Sequence, residues 1–214
     1  MQITMKYLKK CLSPLIGLAL AAICAQSSAL AADPSAPASA KADDPEVAVI
    51  TTTEGTMVIQ FWTDAAPKTI ANFKKLAKDG FYDGTCFHRV IKGFMIQGGD
   101  PYTKDPSKEA LWGSGDPGYK IDAEFNDHSH ERGVISMARS NDPNSAGSQF
   151  FICHGNPTFL DHHYTTFGKL IKGDDVLDKI ATTPTHMAPN QGPGRPDKRM
   201  EIISIKIVPA NSVE

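Results

Sequence analysis

Cysteine is scarce in this chain. Four occur in 214 residues, too few for a disulfide-built scaffold. Cys11 and Cys24 fall within the first 31 residues, which leaves Cys86 and Cys153, each inside an apolar run that suits a buried free thiol. A bridge between these two stays open, because sequence does not give their separation. Basic charge is also short. Lys and Arg number 22 against 24 Asp and Glu, a formal net charge of −2. The first 31 residues hold Lys6, Lys9 and Lys10 and no acid, so the rest of the chain carries 19 against 24, or −5. No surface built to neutralise phosphates is left, and nucleic acid is not an expected partner.

Chemical motifs are missing too. There are seven histidines, but the close pairs His128-Ser-His130 and His162-His163 lack a cysteine or a second pair at ligand spacing. They read as solvated surface histidines, and no metal is expected. Gly113-Ser-Gly115-Asp-Pro-Gly118 matches G-x-G-x-x-G, but loop precedes it and Pro117 sits inside it, so a dinucleotide cofactor is not expected. A Ser-His-Asp hydrolase would lack the G-x-S-x-G elbow.

No apolar run approaches the ~20 residues that span a bilayer. Leu15 to Ile23 is apolar, follows the three lysines, and leads to Ala29-Leu30-Ala31. That is the pattern of a cleavable export signal over residues 1–31. It predicts a periplasmic location, with secretion as the alternative, and no stable membrane insertion after cleavage. The bulky Ile23 before Cys24 argues against lipoprotein processing. Residues 32–45 are rich in Pro, Ala, Ser and Asp without apolar periodicity, and read as a flexible tether. The folded unit is expected over residues 46–214.

Hydrophobic residues are 41% and charged residues 21%, which suits a packed domain. Glu46 to Thr52 and Thr56 to Phe61 alternate around Glu54-Gly55, a hairpin. A helix follows, with Asp64 as its cap and Pro67 in the first turn. Ile70, Phe73, Leu76 and Ala77 lie on one face, and Gly80 is the stop. Strands are predicted at Cys86–Ile91, Phe94–Gln97, Gly133–Met137, Gln149–Cys153, Thr166–Ile171 and Arg199–Pro209, a second helix over Asp174–Thr182, and a long loop from Gly98 to Gly118. About eight strands in hairpins and two helices point to a mainly β fold. An antiparallel sheet that must hide its edges tends to close into a barrel, here capped by the two helices.

Phe87-His88-Arg89-Val90-Ile91-Lys92-Gly93-Phe94-Met95-Ile96-Gln97-Gly98-Gly99-Asp100 places Arg89 and Gln97 among apolar residues. On a strand, Phe87, Arg89 and Ile91 share a face. A charge in such company needs a polar ligand or an ion-pair partner. Ser136-Met137-Ala138-Arg139 leads through a Pro-Asn-Ser turn to Gly147-Ser148-Gln149-Phe150-Phe151-Ile152. Phe159-Leu160-Asp161 leads to Tyr164.

Over Val47 to Val208 these motifs resemble the cyclophilins, peptidyl-prolyl cis-trans isomerases, and with the export signal and Phe159 the periplasmic cyclophilins of Gram-negative bacteria. The resemblance implies a closed eight-stranded antiparallel β-barrel capped by two α-helices. It makes Arg89 the catalytic residue. Phe94, Met95, Phe150 and Leu160 would line the proline pocket, with Gln97 and Gln149 as polar neighbours. Ala138 and the backbone at Arg139 would hold the substrate chain extended, and Phe159 and Tyr164 complete the substrate-binding set. Phe87, Ile91, Ile96 and Phe151 are assigned to the core. Phe159 stands at the family's usual tryptophan, Tyr164 where many members have histidine, and the loop Ser140-Asn141-Asp142-Pro143 is one residue longer than in the common eukaryotic form. Phenylalanine has no indole N–H to donate, so at most weak binding of cyclosporin is implied. The expected partners are unfolded or flexible proline-containing polypeptides, met by a monomer without a cofactor. A non-catalytic proline-peptide binding module or chaperone on the same fold is the alternative.

Overall fold

The computed structural model describes residues 45–188 and 192–213. The expected export signal, and the expected tether up to residue 44, lie outside the described residues. Strands β1 (Glu46–Thr52) and β2 (Gly55–Phe61) form the expected hairpin. Helix α1 (Pro67–Lys78) follows, and its buried face carries Ile70, Phe73, Leu76 and Ala77. Its start differs from the expectation. The N-cap is Ala66, which has no side chain to cap with, and the Glu124 carboxylate takes that role. It accepts from the backbone N–H of Lys68 (3.0 Å) and Thr69 (2.7 Å), pairing donors that a helix leaves open. Gly80, at φ +68°, ends the helix as expected. Its N–H donates to Ala77 O and that of Phe81 to Leu76 O.

The remaining elements are β3 (Thr85–Cys86), β4 (Arg89–Ile91), β5 (Met95–Gly98), β6 (Val134–Met137), β7 (Phe150–Cys153), β8 (Thr166–Lys172), α2 (Asp174–Ala181), β9 (Thr185–Ala188), β10 (Gly192–Pro196) and β11 (Glu201–Pro209). Nine strands form one antiparallel sheet in the order β3-β11-β1-β2-β8-β6-β7-β5-β4. The count is nine rather than eight because the run Cys86–Ile91 is two strands and not one. Phe87 N–H donates to Met200 O beside β11, and His88 N–H to Gln97 O on β5. The chain thus crosses from one edge of the sheet to the other within two residues. The sheet curls into a barrel that is not strictly closed. Its seam is bridged by the chain at Phe87–His88, with no ladder between β3 and β4. The bend also breaks the alternation: Phe87 turns into the main core, while Ile91 packs on the outer side with Met95.

Strands β9 and β10 form a separate hairpin that the sequence pattern does not announce. Gly194 lets it lie on β4. A Cβ there would stand 2.7 Å from the Val90 carbonyl oxygen, and φ is +107°. Phe73 sits at the centre of the core, with the rings of Tyr82, Phe150, Phe167 and Phe61 at 5.2 to 6.0 Å. Each such ring, fully buried, contributes ~1.5–3 kcal/mol. Cys86 and Cys153 are free and buried. Burial pushes their thiols up to about 11 and about 12.

Candidate active site

Paired residues on neighbouring strands point to the same side of a sheet. The register therefore sets Arg89, Gln97, Phe151 and Ser136 in one row across β4, β5, β7 and β6. Ile91, Met95 and Cys153 form the next row. The loop after Thr158 brings Leu160 and Tyr164 over these rows. The result is a cavity of about 150 Å³, lined by Arg89, Phe94, Met95, Gln97, Ala138, Arg139, Phe151, Leu160 and Tyr164. Gln97, Ala138 and Arg139 also wall a groove of about 250 Å³, where they meet Gln149 and the loop Gly113–Gly115.

One expected pocket residue is elsewhere. Phe150 is fully buried in the main core and packs edge-on against Phe73, Tyr82 and Phe87. Its neighbour Phe151, assigned to the core from sequence, lines the cavity instead. A one-residue error in phase exchanges the two faces of a strand. The pairing of Phe151 with Gln97 fixes the phase in the folded sheet, and no polar residue within the strand marks it in the sequence. Phe159 stands at the rim, 72% exposed, stacked on Phe94 at 5.8 Å.

The Arg89 side chain is half-buried and makes no hydrogen bond or ion pair among the described residues. Burial lowers its pKa and Tyr164 opposes this, but a guanidinium stays charged. Gln97 Nε2 donates to Gln149 Oε1 (3.1 Å), and Gln149 Nε2 donates to the carbonyls of Gly113 (3.0 Å) and Gly115 (2.9 Å). Gln149 therefore anchors the groove wall and orients Gln97. Arg139 uses its side chain as a clasp. Its Nε donates to His163 O (2.8 Å), its Nη1 to Ser140 O (2.8 Å), and its guanidinium lies 4.6 Å from the Tyr164 ring centre.

A family model, Cyclophilin type peptidyl-prolyl cis-trans isomerase/CLD, matches residues 47–207. The chain belongs to the cyclophilin-type peptidyl-prolyl cis-trans isomerases. A peptidyl-prolyl cis-trans isomerase of Synechococcus elongatus is 51% identical over 122 residues, 57% of this chain and 78% of that one. A probable peptidyl-prolyl cis-trans isomerase of Brucella abortus is 44% identical over 146 residues, 66% of this chain and 74% of that one. Among solved structures, a Cryptosporidium parvum cyclophilin crystallised in the presence of the dipeptide Ala-Pro aligns with a TM-score of 0.66 at 33% identity, covering 76% of this chain and 98% of its own. The fold, mainly β and barrel-like, and the isomerase class expected from the sequence both stand.

This cyclophilin holds a further group of polar residues behind the pocket. His130, expected on the surface, is fully buried. Its Nδ1 lies 2.8 Å from Asp161 Oδ1 and its Nε2 3.0 Å from Ser136 Oγ. Serine, histidine and aspartate are thus assembled, but not as a hydrolase. Ser136 is fully buried and its hydroxyl also faces the Thr165 carbonyl at 3.0 Å. A substrate carbonyl has no way to it. His128 behaves differently, stacking its ring on Trp62 at 3.9 Å.

Proposed function

We propose that the chain speeds rotation about X-Pro peptide bonds by seating the proline ring in the 150 Å³ cavity and donating a hydrogen bond from Arg89 to the proline nitrogen. Uncatalysed rotation takes roughly 10–100 s because it breaks amide resonance. In the twisted amide the nitrogen regains a basic lone pair. A donor aimed at it binds that state better than either planar state, which is the condition for catalysis. The observation that carries the reading is that Arg89 reaches the cavity with its side chain uncommitted. Phe94, Met95, Phe151 and Leu160 exclude water from the contact and strengthen it. The groove beyond Gln97 and Ala138 suits the residues that flank the proline, held extended. The Ala-Pro dipeptide named with the Cryptosporidium parvum structure supports proline-containing peptides as the ligand class.

The clients we infer are unfolded or flexible chains outside the cytoplasm, met in the periplasm by a monomer. The support is the lysine-led apolar segment that ends at Ala29-Leu30-Ala31. The test compares cis-to-trans rates of a proline peptide with the exported chain and with Arg89→Ala. The exported chain should begin near Ala32 or Asp33 by intact mass. Arg89→Ala should lose about a hundredfold or more in turnover, the scale for removing one transition-state donor, with its circular dichroism unchanged. Full turnover in the variant would overturn the role of Arg89. A folded but inactive wild-type chain would favour a proline-peptide binding module. A mass that retains Met1 would overturn cleavage.

A further inference from the structure

The Asp161 carboxylate receives three donors: Ser129 Oγ (2.6 Å), the His130 backbone N–H (2.7 Å) and His130 Nδ1 (2.8 Å). Burial opposes its charge, but these hydrogen bonds hold its pKa down to about 2. An ionised carboxylate only accepts, so Nδ1 carries a proton. Nε2 faces Ser136 Oγ, and that hydroxyl has one proton for two acceptors, Nε2 and Thr165 O. With His130 neutral, the proton goes to the imidazole. With His130 charged, Nε2–H donates to the hydroxyl, which turns to Thr165 O. The same heavy atoms thus support two hydrogen-bond patterns, selected by one protonation.

This switch borders the catalytic cavity. The His130 ring is stacked on Phe151 at 5.9 Å and 14°, and stands edge-on to Tyr164 at 6.4 Å. Both are cavity walls. Ser136 is the register partner of Phe151. Asp161 follows Leu160 directly, so its bonds to His130 and Ser129 tie down the loop that closes the cavity. We propose that neutral His130, with its proton on Nδ1, is a positioning residue that holds Phe151, Leu160 and Tyr164 against the proline ring, and that protonation loosens this wall. The inference rests on the isomerase reading.

Burial lowers the His130 pKa below its ordinary 6.5, with Asp161 opposing. The observed arrangement therefore binds a proton less readily than a solvated imidazole. By linkage, acid favours arrangements that wet the ring, and these part it from Phe151 or Asp161. The titratable and charged groups around it are Asp161 and Tyr164 on the loop, Cys153 on β7, Glu131 turned towards Lys169, and beyond Tyr164 the guanidiniums of Arg89 and Arg139. Arg89 keeps its proton throughout, so the isomerisation step alone gives a flat acid profile.

The test measures kcat and KM of the purified chain for a proline peptide from about pH 8 to about pH 4, the range in which a histidine titrates. Beside it stand His130→Phe, which keeps a stacking ring without either hydrogen bond, and the double variant His162→Asn with His163→Asn. The wild type and the double variant should lose kcat/KM in acid with one midpoint below the ordinary histidine value of 6.5. That midpoint should match the His130 ring titration followed by NMR. His130→Phe should lose about tenfold in kcat/KM at neutral pH, equivalent to ~1.4 kcal/mol, and lack the acid limb. A flat wild-type profile, an acid limb kept by His130→Phe, or a midpoint unlike the NMR titration would each overturn the proposal. If His130→Phe does not fold, the wild-type kinetic and NMR midpoints decide alone. A wild-type chain inactive at every pH defeats the isomerase reading as well, whereas an active chain with a flat profile defeats only the role of His130.

Discussion

A guanidinium keeps its proton across the physiological range, so a donor at residue 89 does not titrate away. Burial works against its charge, and the side chain keeps part of its surface open to the cavity. The same economy of donors shapes the rim. Phe159 lies largely in solvent with its ring on Phe94. A larger indole fits there without displacing core atoms, and brings an N–H that phenylalanine lacks. Phe159→Trp is therefore expected to raise cyclosporin affinity by about two- to tenfold, the worth of one net hydrogen bond of ~0.5–1.5 kcal/mol. Calorimetric titration of both proteins measures it. Equal affinities would mean that the indole N–H at this position does not set cyclosporin affinity and would turn attention to the loop Ser140–Pro143.

Strand β7 shows how much an element depends on its neighbours. All four of its residues are buried, so no polar residue marks the outer face and alternation alone cannot set the phase. The ladders to β5 and β6 do so. Phe150→Ala should cost ~3–5 kcal/mol in urea unfolding, as for a ring removed from a packed core. Phe151→Ala should cost less, because its ring already borders a cavity, yet lower kcat/KM by about tenfold or more, ~1.4 kcal/mol for each factor of ten. Unchanged turnover in Phe151→Ala would return that residue to the core. Most of the strands and both helices were legible, since the periods of two and 3.6 are local. What stayed hidden depends on distant partners. The cap of α1 comes from Glu124, 55 residues beyond Thr69. The β9–β10 hairpin carries no alternating apolar pattern, and its Gly194 fits against Val90. In the site, Arg89 and Gln97 stood out as polar groups within an apolar run. His130 did not, because nothing near it in sequence tells a buried histidine from a solvated one.

Taken whole, the curled sheet conceals a second histidine at its seam. His88 is 2% exposed, and neither ring nitrogen has a hydrogen-bond partner among the described residues. Burial, then the charge of Arg195, hold its pKa down to about 3, against a contact with the Cys86 backbone that falls short of hydrogen-bond geometry. The unfolded chain protonates this residue near 6.5. Between those two values the unfolded state binds a proton that the folded state refuses, so stability falls as pH drops. The stability that a neutral His88 contributes is complete above about 6.5 and lost progressively towards about 3, at up to ~1.4 kcal/mol per pH unit. His130 acts in the same direction, its pKa also being lowered. Asp161 is lowered from 3.8 to about 2, so its contribution is present above 3.8 and fades only below it. The urea midpoint should therefore decline from about pH 7 to about pH 4, a window set by histidine rather than carboxylate titration. His88→Gln, which cannot titrate, should start from a lower midpoint at neutral pH and decline less steeply. Parallel slopes in the two proteins would mean that His88 meets solvent or a counter-charge in the folded state, and that the seam is open where the structure closes it.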